Sequence, residues 1–175
     1  MSASGDISLL FLSIIVWSVA LYSLRVAFVG DPLFASVFRA DDGLLKRVGR
    51  VVSEGVEPSA EDEILFLRHF TRLGMLGTAA AIAEIAALVY VASAEGMLPW
   101  LAVLAWGLLA KNAAMLLLNW FYVRSHHRPD VTIFDQLRTL PRWYVWIDRG
   151  SSLVSALGLL AVILALNGFV GGGRV

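Results

Sequence analysis

The sequence predicts an all-α, polytopic integral membrane protein, a bundle of four transmembrane helices carrying short amphipathic interfacial helices on one side. Three observations predict it. Hydrophobic residues make up 58% of the 175-residue chain and charged residues only 16%, with a mean hydropathy of +0.74. Soluble domains run near 45–50% apolar and about 25% charged. Four segments are long enough to cross a bilayer, which takes about 20 apolar residues. Basic residues, finally, are concentrated in alternate connections between those segments. Net charge is zero, so no basic field points to nucleic acid. The chain has no cysteine, which excludes disulfides, thiolate metal sites and cysteine nucleophiles.

Span one covers about residues 7–28 and stops at Gly30-Asp31-Pro32. Asp6 is the only charge before it, so it lacks the basic start of a signal peptide and is expected to be a retained helix. Gly43 to Val52 follows as a short amphipathic helix. Leu44, Leu45, Val48, Val51 and Val52 share one face; Lys46, Arg47 and Arg50 share another. Such a helix suits an anionic leaflet or a seat against the bundle. Ser59 followed by Asp62 resembles a capping box, so a helix is expected to start there and run through Phe66, Arg68 and His69.

Span two covers about residues 73–94 and span three about 98–123, joined by the tight link Glu95-Gly96-Met97. Val131 to Leu140 is a short interfacial helix. Pro141 and the aromatic run Trp143-Tyr144-Val145-Trp146 then lead into span four, about residues 150–170, which ends in Gly171-Gly172-Gly173. Trp100, Trp120, Phe121 and Tyr122 extend the aromatic belt. The whole chain, 1–175, forms a single membrane domain.

Arginine and lysine placement sets the orientation. Segment 29–72 holds Arg39, Lys46, Arg47, Arg50, Arg68 and Arg72. Segment 124–149 holds Arg124, Arg128, Arg138, Arg142 and Arg149. The link between spans two and three has none. Both long segments are therefore expected in the cytoplasm, with both termini and the short turn outside. Arginine far outnumbers lysine, which is represented by Lys46 and Lys111 alone. With the heavy use of Ala, Val, Leu and Gly, this reads as a GC-rich bacterial coding sequence and an inner (plasma) membrane protein.

Two charges fall near the middle of the membrane: Glu84 in span two and Lys111 in span three. A charge there costs about 2.5–3.5 kcal/mol even on insertion scales, so it needs a partner. Spans two and three form an antiparallel hairpin. Glu84 and Lys111 are equidistant from a turn centred between Met97 and Leu98, so they are expected at equal depth as an ion pair. Asn112 and Asn119 extend the polar sector on span three. Small residues flank Glu84 (Gly77, Ala80, Ala81, Ala87), and the Ser151/Ser155 spacing in span four reads as a weak helix-association signal.

Two readings of the pair compete. It specifies helix packing, or Glu84 is an ion-coupling carboxylate tuned by Lys111. His69 and His126 are equidistant from the same turn and could hold a haem or metal at the basic end of the hairpin. Asp130 and Asp135 are the acidic neighbours of such a site. No catalytic motif is present: no H-E-x-x-H, no G-x-S-x-G and no phosphate-binding glycine loop. The chain is thus expected to be non-catalytic and free of cofactors. The leading expectation is an accessory or structural subunit of a larger membrane assembly, whose partners are the bilayer and other membrane subunits or copies of itself. The alternative is a small homo-oligomeric channel or ion- or proton-coupled transporter using Glu84 and Lys111. A haem- or metal-binding redox anchor is the weakest of the three.

Overall fold

A computed structural model describes residues 3–94, 98–126 and 132–166. The helices are α1 (Ala3–Val29), α2 (Pro32–Arg39), α3 (Asp42–Glu54), α4 (Glu61–Ser93), α5 (Pro99–His126), α6 (Ile133–Arg138) and α7 (Arg142–Leu166). No strand occurs among the described residues. Four stretches, Phe11–Arg39, Glu61–Ser93, Pro99–Tyr122 and Arg142–Leu166, are long and apolar enough to cross a membrane. Three of the predicted features lie outside the described residues: the link 95–97, the segment 127–131 with Asp130, and the stretch from 167 onward with its glycines.

The long helices form a ring in the order α1, α4, α5, α7, each packed on its two neighbours. The closest pairing is α1 with α7. They run antiparallel: Gly30, just after α1, lies against the guanidinium of Arg149 near the start of α7. One end of the bundle carries the α4–α5 turn; the other, the loop end, carries α2, α3 and α6.

The apolar core fills only the turn-end half. Leu88 and Val91 follow Glu84 on α4. Leu101, Ala105 and Leu108 precede Lys111 on α5. Leu159, Val162 and Ile163 come from α7, and Val16, Val19 and Ala20 from α1. All are almost fully buried. Contact is close enough that a Cβ on Gly158 would sit 2.6 Å from a Leu108 methyl. Glycine at 158 therefore lets α7 approach α5.

α4 is 33 residues long. At 1.5 Å per residue that is about 50 Å. A bilayer hydrocarbon core is about 30 Å thick. The excess is about its first three and a half turns, which hold Glu61, Asp62, Glu63, Arg68, His69 and Arg72. These turns extend past the bundle and gather α2, α3 and α6 into a second apolar core. Val37, Leu45, Val48 and Phe134 are its buried centre, with Phe66 and Phe70 from α4 packed around it. The Phe134 ring meets Phe70 edge-on at 5.1 Å and Phe66 at 5.8 Å.

Local chemistry explains the starts of these short helices. Asp31 accepts from the Leu33 amide at 2.7 Å, and Pro32 takes the first helical position of α2. Asp41 accepts from the amides of Gly43 and Leu44 to cap α3. Thr132 caps α6 through the Asp135 amide. Gly30 and Gly55 take positive φ angles of 97° and 67° at the ends of α1 and α3, a conformation that favours glycine.

Several expectations change here. Gly30-Asp31-Pro32 was expected to be a stop and a turn, but Asp31 restarts the chain as α2, a helix the sequence reading lacks. Ser59 does not cap α4 with its side chain. Glu63 does the work from the other side, accepting the Ser59 amide at 3.0 Å. The amphipathic α3 packs its Leu45, Val48 and Gly49 face inward, while Val52 on the expected apolar face is exposed. Its basic face is divided: Lys46 and Arg50 are exposed, whereas Arg47 bonds Asp62 at 2.7 Å and Glu63 at 2.8 Å. α7 begins at Arg142, where Pro141 predicts a helix start, and it carries Asp148 and Arg149 inside it ahead of the expected span.

Candidate functional site: a polar cavity ending at Glu84

Each long helix supplies polar groups to one level of the bundle. Glu84 projects from α4 toward the centre and is the anchor of the cluster. Its Oε1 accepts from Asn112 Nδ2 of α5 at 3.0 Å and from Ser155 Oγ of α7 at 2.6 Å. Lys111 Nζ lies 3.9 Å from the same oxygen, with side-chain exposures of 21% for Lys111 and 10% for Glu84. Lys111 also donates to Ser155 Oγ and, at 3.4 Å, to the Ser151 carbonyl. The hairpin register thus brings the two charges to one depth, but as a bridged contact. The Ser155 hydroxyl stands between them.

From this cluster a cavity of about 240 Å³ runs toward the loop end. Its lining is polar to a degree unusual for a bundle interior. Asp31, Glu84 and Asp148 supply carboxylates, Lys111 an ammonium, and Tyr22, Asn112, Asn119, Ser151, Ser152 and Ser155 neutral polar groups. Asp31, Asp148 and Lys111 are all half-buried, and Glu84 is buried. Asn119 is held in place by the Tyr144 hydroxyl, which donates to its Oδ1. A polar cavity of this size has room for several waters, each needing about 10–15 Å³ by the same kind of measure. Beyond Glu84, toward the turn end, the apolar core closes the bundle.

The four residues singled out in mid-membrane, Glu84, Lys111, Asn112 and Asn119, all line this cavity. Asp31, Asp148, Ser151, Ser155 and Tyr22 were missed. The overlooked signal is on α7, where Asp148, Ser151, Ser152 and Ser155 recur at helical spacing on one face of an otherwise apolar helix. Ser151 and Ser155 fit helix packing equally well in sequence, which masks this pattern. Asp31 is a dual-use residue, capping α2 and lining the cavity mouth.

The other candidates lie elsewhere. Lys46, Arg47 and Arg50 are on α3, in the loop-end cap. His69 is exposed on α4. The side chain of His126 lies outside the described residues. Among the described residues no group of three or more His, Cys, Asp or Glu is placed to hold a metal. At the cap, Arg138 joins α6 to the end of α2, donating to the Ala40 carbonyl at 2.6 Å and pairing with Asp42. The Arg138 guanidinium beside Asp42 holds its carboxyl below the usual carboxylate range. No protein-family model, curated protein or solved structure matches this chain.

Proposed function

We propose that the chain is a small proton- or cation-coupled membrane transporter, with Glu84 as the carboxylate that takes the proton or cation. One observation carries this reading: the interior cavity is polar, acidic in balance, and ends blind at a buried carboxylate beneath an apolar plug. A packing-only pair has no need of a cavity leading to it. Closure of the bundle by the apolar core beyond Glu84 suits a site reached from one side at a time. A pore open along its whole length lacks such a plug. Intramembrane ionisable groups that face a polar cavity are the usual markers of ion and proton pathways. In this reading the loop end, which carries the basic residues, is cytoplasmic, the bilayer is a bacterial inner membrane, and the chain works as a homo-oligomer without covalent catalysis. The test is purification and reconstitution into liposomes holding a pH-sensitive dye. An imposed proton or cation gradient should drive proton movement in the native protein, and Glu84→Gln should abolish it. Equal flux in both proteins would refute the assignment.

A second reading is favoured by the outer surface. The membrane-crossing windows of α4 and α5 are only 22% and 17% buried within the chain, against 33% for those of α1 and α7. Gly74 and Gly107 also have open space where a side chain would be. These faces suit a neighbouring subunit as well as lipid, as for an accessory component of a larger assembly. Affinity purification in mild detergent with mass spectrometry separates the two readings. Stoichiometric foreign subunits support assembly; a pure homo-oligomer supports transport by this chain alone.

A further inference from the structure

The hydrogen bonds at the floor of the cavity run in one direction. Lys111 Nζ donates to Ser155 Oγ, and Ser155 Oγ donates to Glu84 Oε1 at 2.6 Å. The direct separation from Nζ to Oε1 is 3.9 Å, too long for a hydrogen bond. Asn112 reaches the same carboxylate oxygen at 3.0 Å, but through an amide N–H, which holds its proton. Lys111 also bonds the Ser151 carbonyl, one helical turn nearer the Asp148 end of α7. Both charges line the cavity, the Lys111 side chain more exposed than the Glu84 side chain, and Lys111 reaches toward the Asp148 end.

We propose that Ser155 is the proton relay between Lys111 and Glu84, so that Glu84 is loaded from the cavity through Lys111. In the step, one N–H bond of the Lys111 ammonium breaks and its proton joins Ser155 Oγ. The hydroxyl's own proton leaves for Glu84 Oε1. The products are a neutral amine, an unchanged serine and a carboxylic acid. A hydronium in the cavity then returns a proton to the amine. The pair's total charge does not change during the transfer. Burial favours this exchange, because it replaces two poorly solvated charges by two neutral groups. Tyr22 and Asp31 from the α1 side, Asn112 and Asn119 from α5, and Asp148 from α7 line the same cavity, with Arg25 acting on Asp31 and Arg149 on Asp148.

The purpose of this relay rests on the transport reading, but its test does not. The measurement is pH-jump infrared spectroscopy on purified protein in detergent, following the Glu84 carboxylic acid band, assigned by its loss in Glu84→Gln. Three variants separate relay from packing. Ser155→Ala removes the hydroxyl. Ser155→Thr keeps one. Lys111→Arg keeps a positive donor that does not release a proton. After an acid jump the band should rise more slowly, by about tenfold or more, in Ser155→Ala and Lys111→Arg. Ser155→Thr should recover the native rate. If Lys111→Arg does not fold, Ser155→Ala and Ser155→Thr decide the matter. Native rates in Ser155→Ala, or no Glu84 band in the native protein at any pH where it stays folded, overturn the relay. Native liposomes without flux, alongside a slowed band in Ser155→Ala, sink the transport reading and leave the relay standing.

Discussion

At the residue scale, Glu84 and Lys111 are held by more than each other. Asn112 and Ser155 donate to Glu84, and Ser155 and Ser151 accept from Lys111. Loss of one charge leaves the other buried with partial compensation. Breaking a buried pair costs about 3–5 kcal/mol in general. The two remaining donors to Glu84 place Lys111→Met at about 3 kcal/mol, the low end of that range. The double change Glu84→Leu with Lys111→Met should recover most of the loss, because it leaves no uncompensated charge. Unfolding in mixed micelles, measured for both singles and the double, checks this. A double variant as unstable as the sum of the singles would mean the two side chains are independent. The residues of this pair were legible because a short turn fixes hairpin register and because charges are rare in an apolar run. Ser155 was not legible. A serine in a membrane span reads equally as a small packing residue or as a hydrogen-bonding one, and only the approach of α7 to α4 and α5 decides between them.

At the element scale, the long helices follow from hydropathy, and the cap does not. α2 is eight residues long, begins at Pro32 and follows Gly30 and its cap Asp31. Its formation depends on Asp31 as a cap and on burial of Val37 against Phe134, a contact nearly a hundred positions away in sequence. α7 passes through Asp148-Arg149-Gly150 with Asp148 on the cavity and Arg149 against Gly30. The cap also holds a pH-dependent tie. Asp42 on α3 pairs with Arg138 on α6, and its folded carboxyl titrates below its unfolded value. Such a group stabilises above the unfolded pKa, about 3.9 for aspartate. That contribution is lost as pH falls through the folded value. The α3–α6 amides should lose hydrogen-exchange protection on acidification below about pH 4. In Asp42→Asn that acid-dependent part should vanish, and the variant should be the less protected of the two at neutral pH. Identical acid profiles in the two proteins would refute the tie.

At the scale of the whole molecule, the bundle is two materials end to end. The turn-end half is packed hydrocarbon; the loop-end half encloses a polar cavity. Alternation of basic and neutral connections predicts which ends of the helices lie together, but says nothing about this lengthwise division. It arises where four helices each change character near one level: after Tyr22 on α1, before Glu84 on α4, from Lys111 on α5 and before Ser155 on α7. The chain has no cysteine, so single-cysteine variants report on the division without background. Ser152→Cys, in the cavity wall, should react with a small membrane-impermeant thiol reagent applied from the loop side only. Leu159→Cys, in the plug, should be inert from both sides. Labelling of Ser152→Cys from the turn side would contradict the one-sided opening.

α4 runs unbroken from Glu61 to Ser93, so the helix that presents Glu84 to the cavity is also the mast on which α2, α3 and α6 are stepped. Glu63, clamped by Arg47, and Glu84 are separated along it by about 30 Å, at 1.5 Å per residue. Cap and carboxylate share one continuous helix, so they are tied by backbone and not by a chain of side chains.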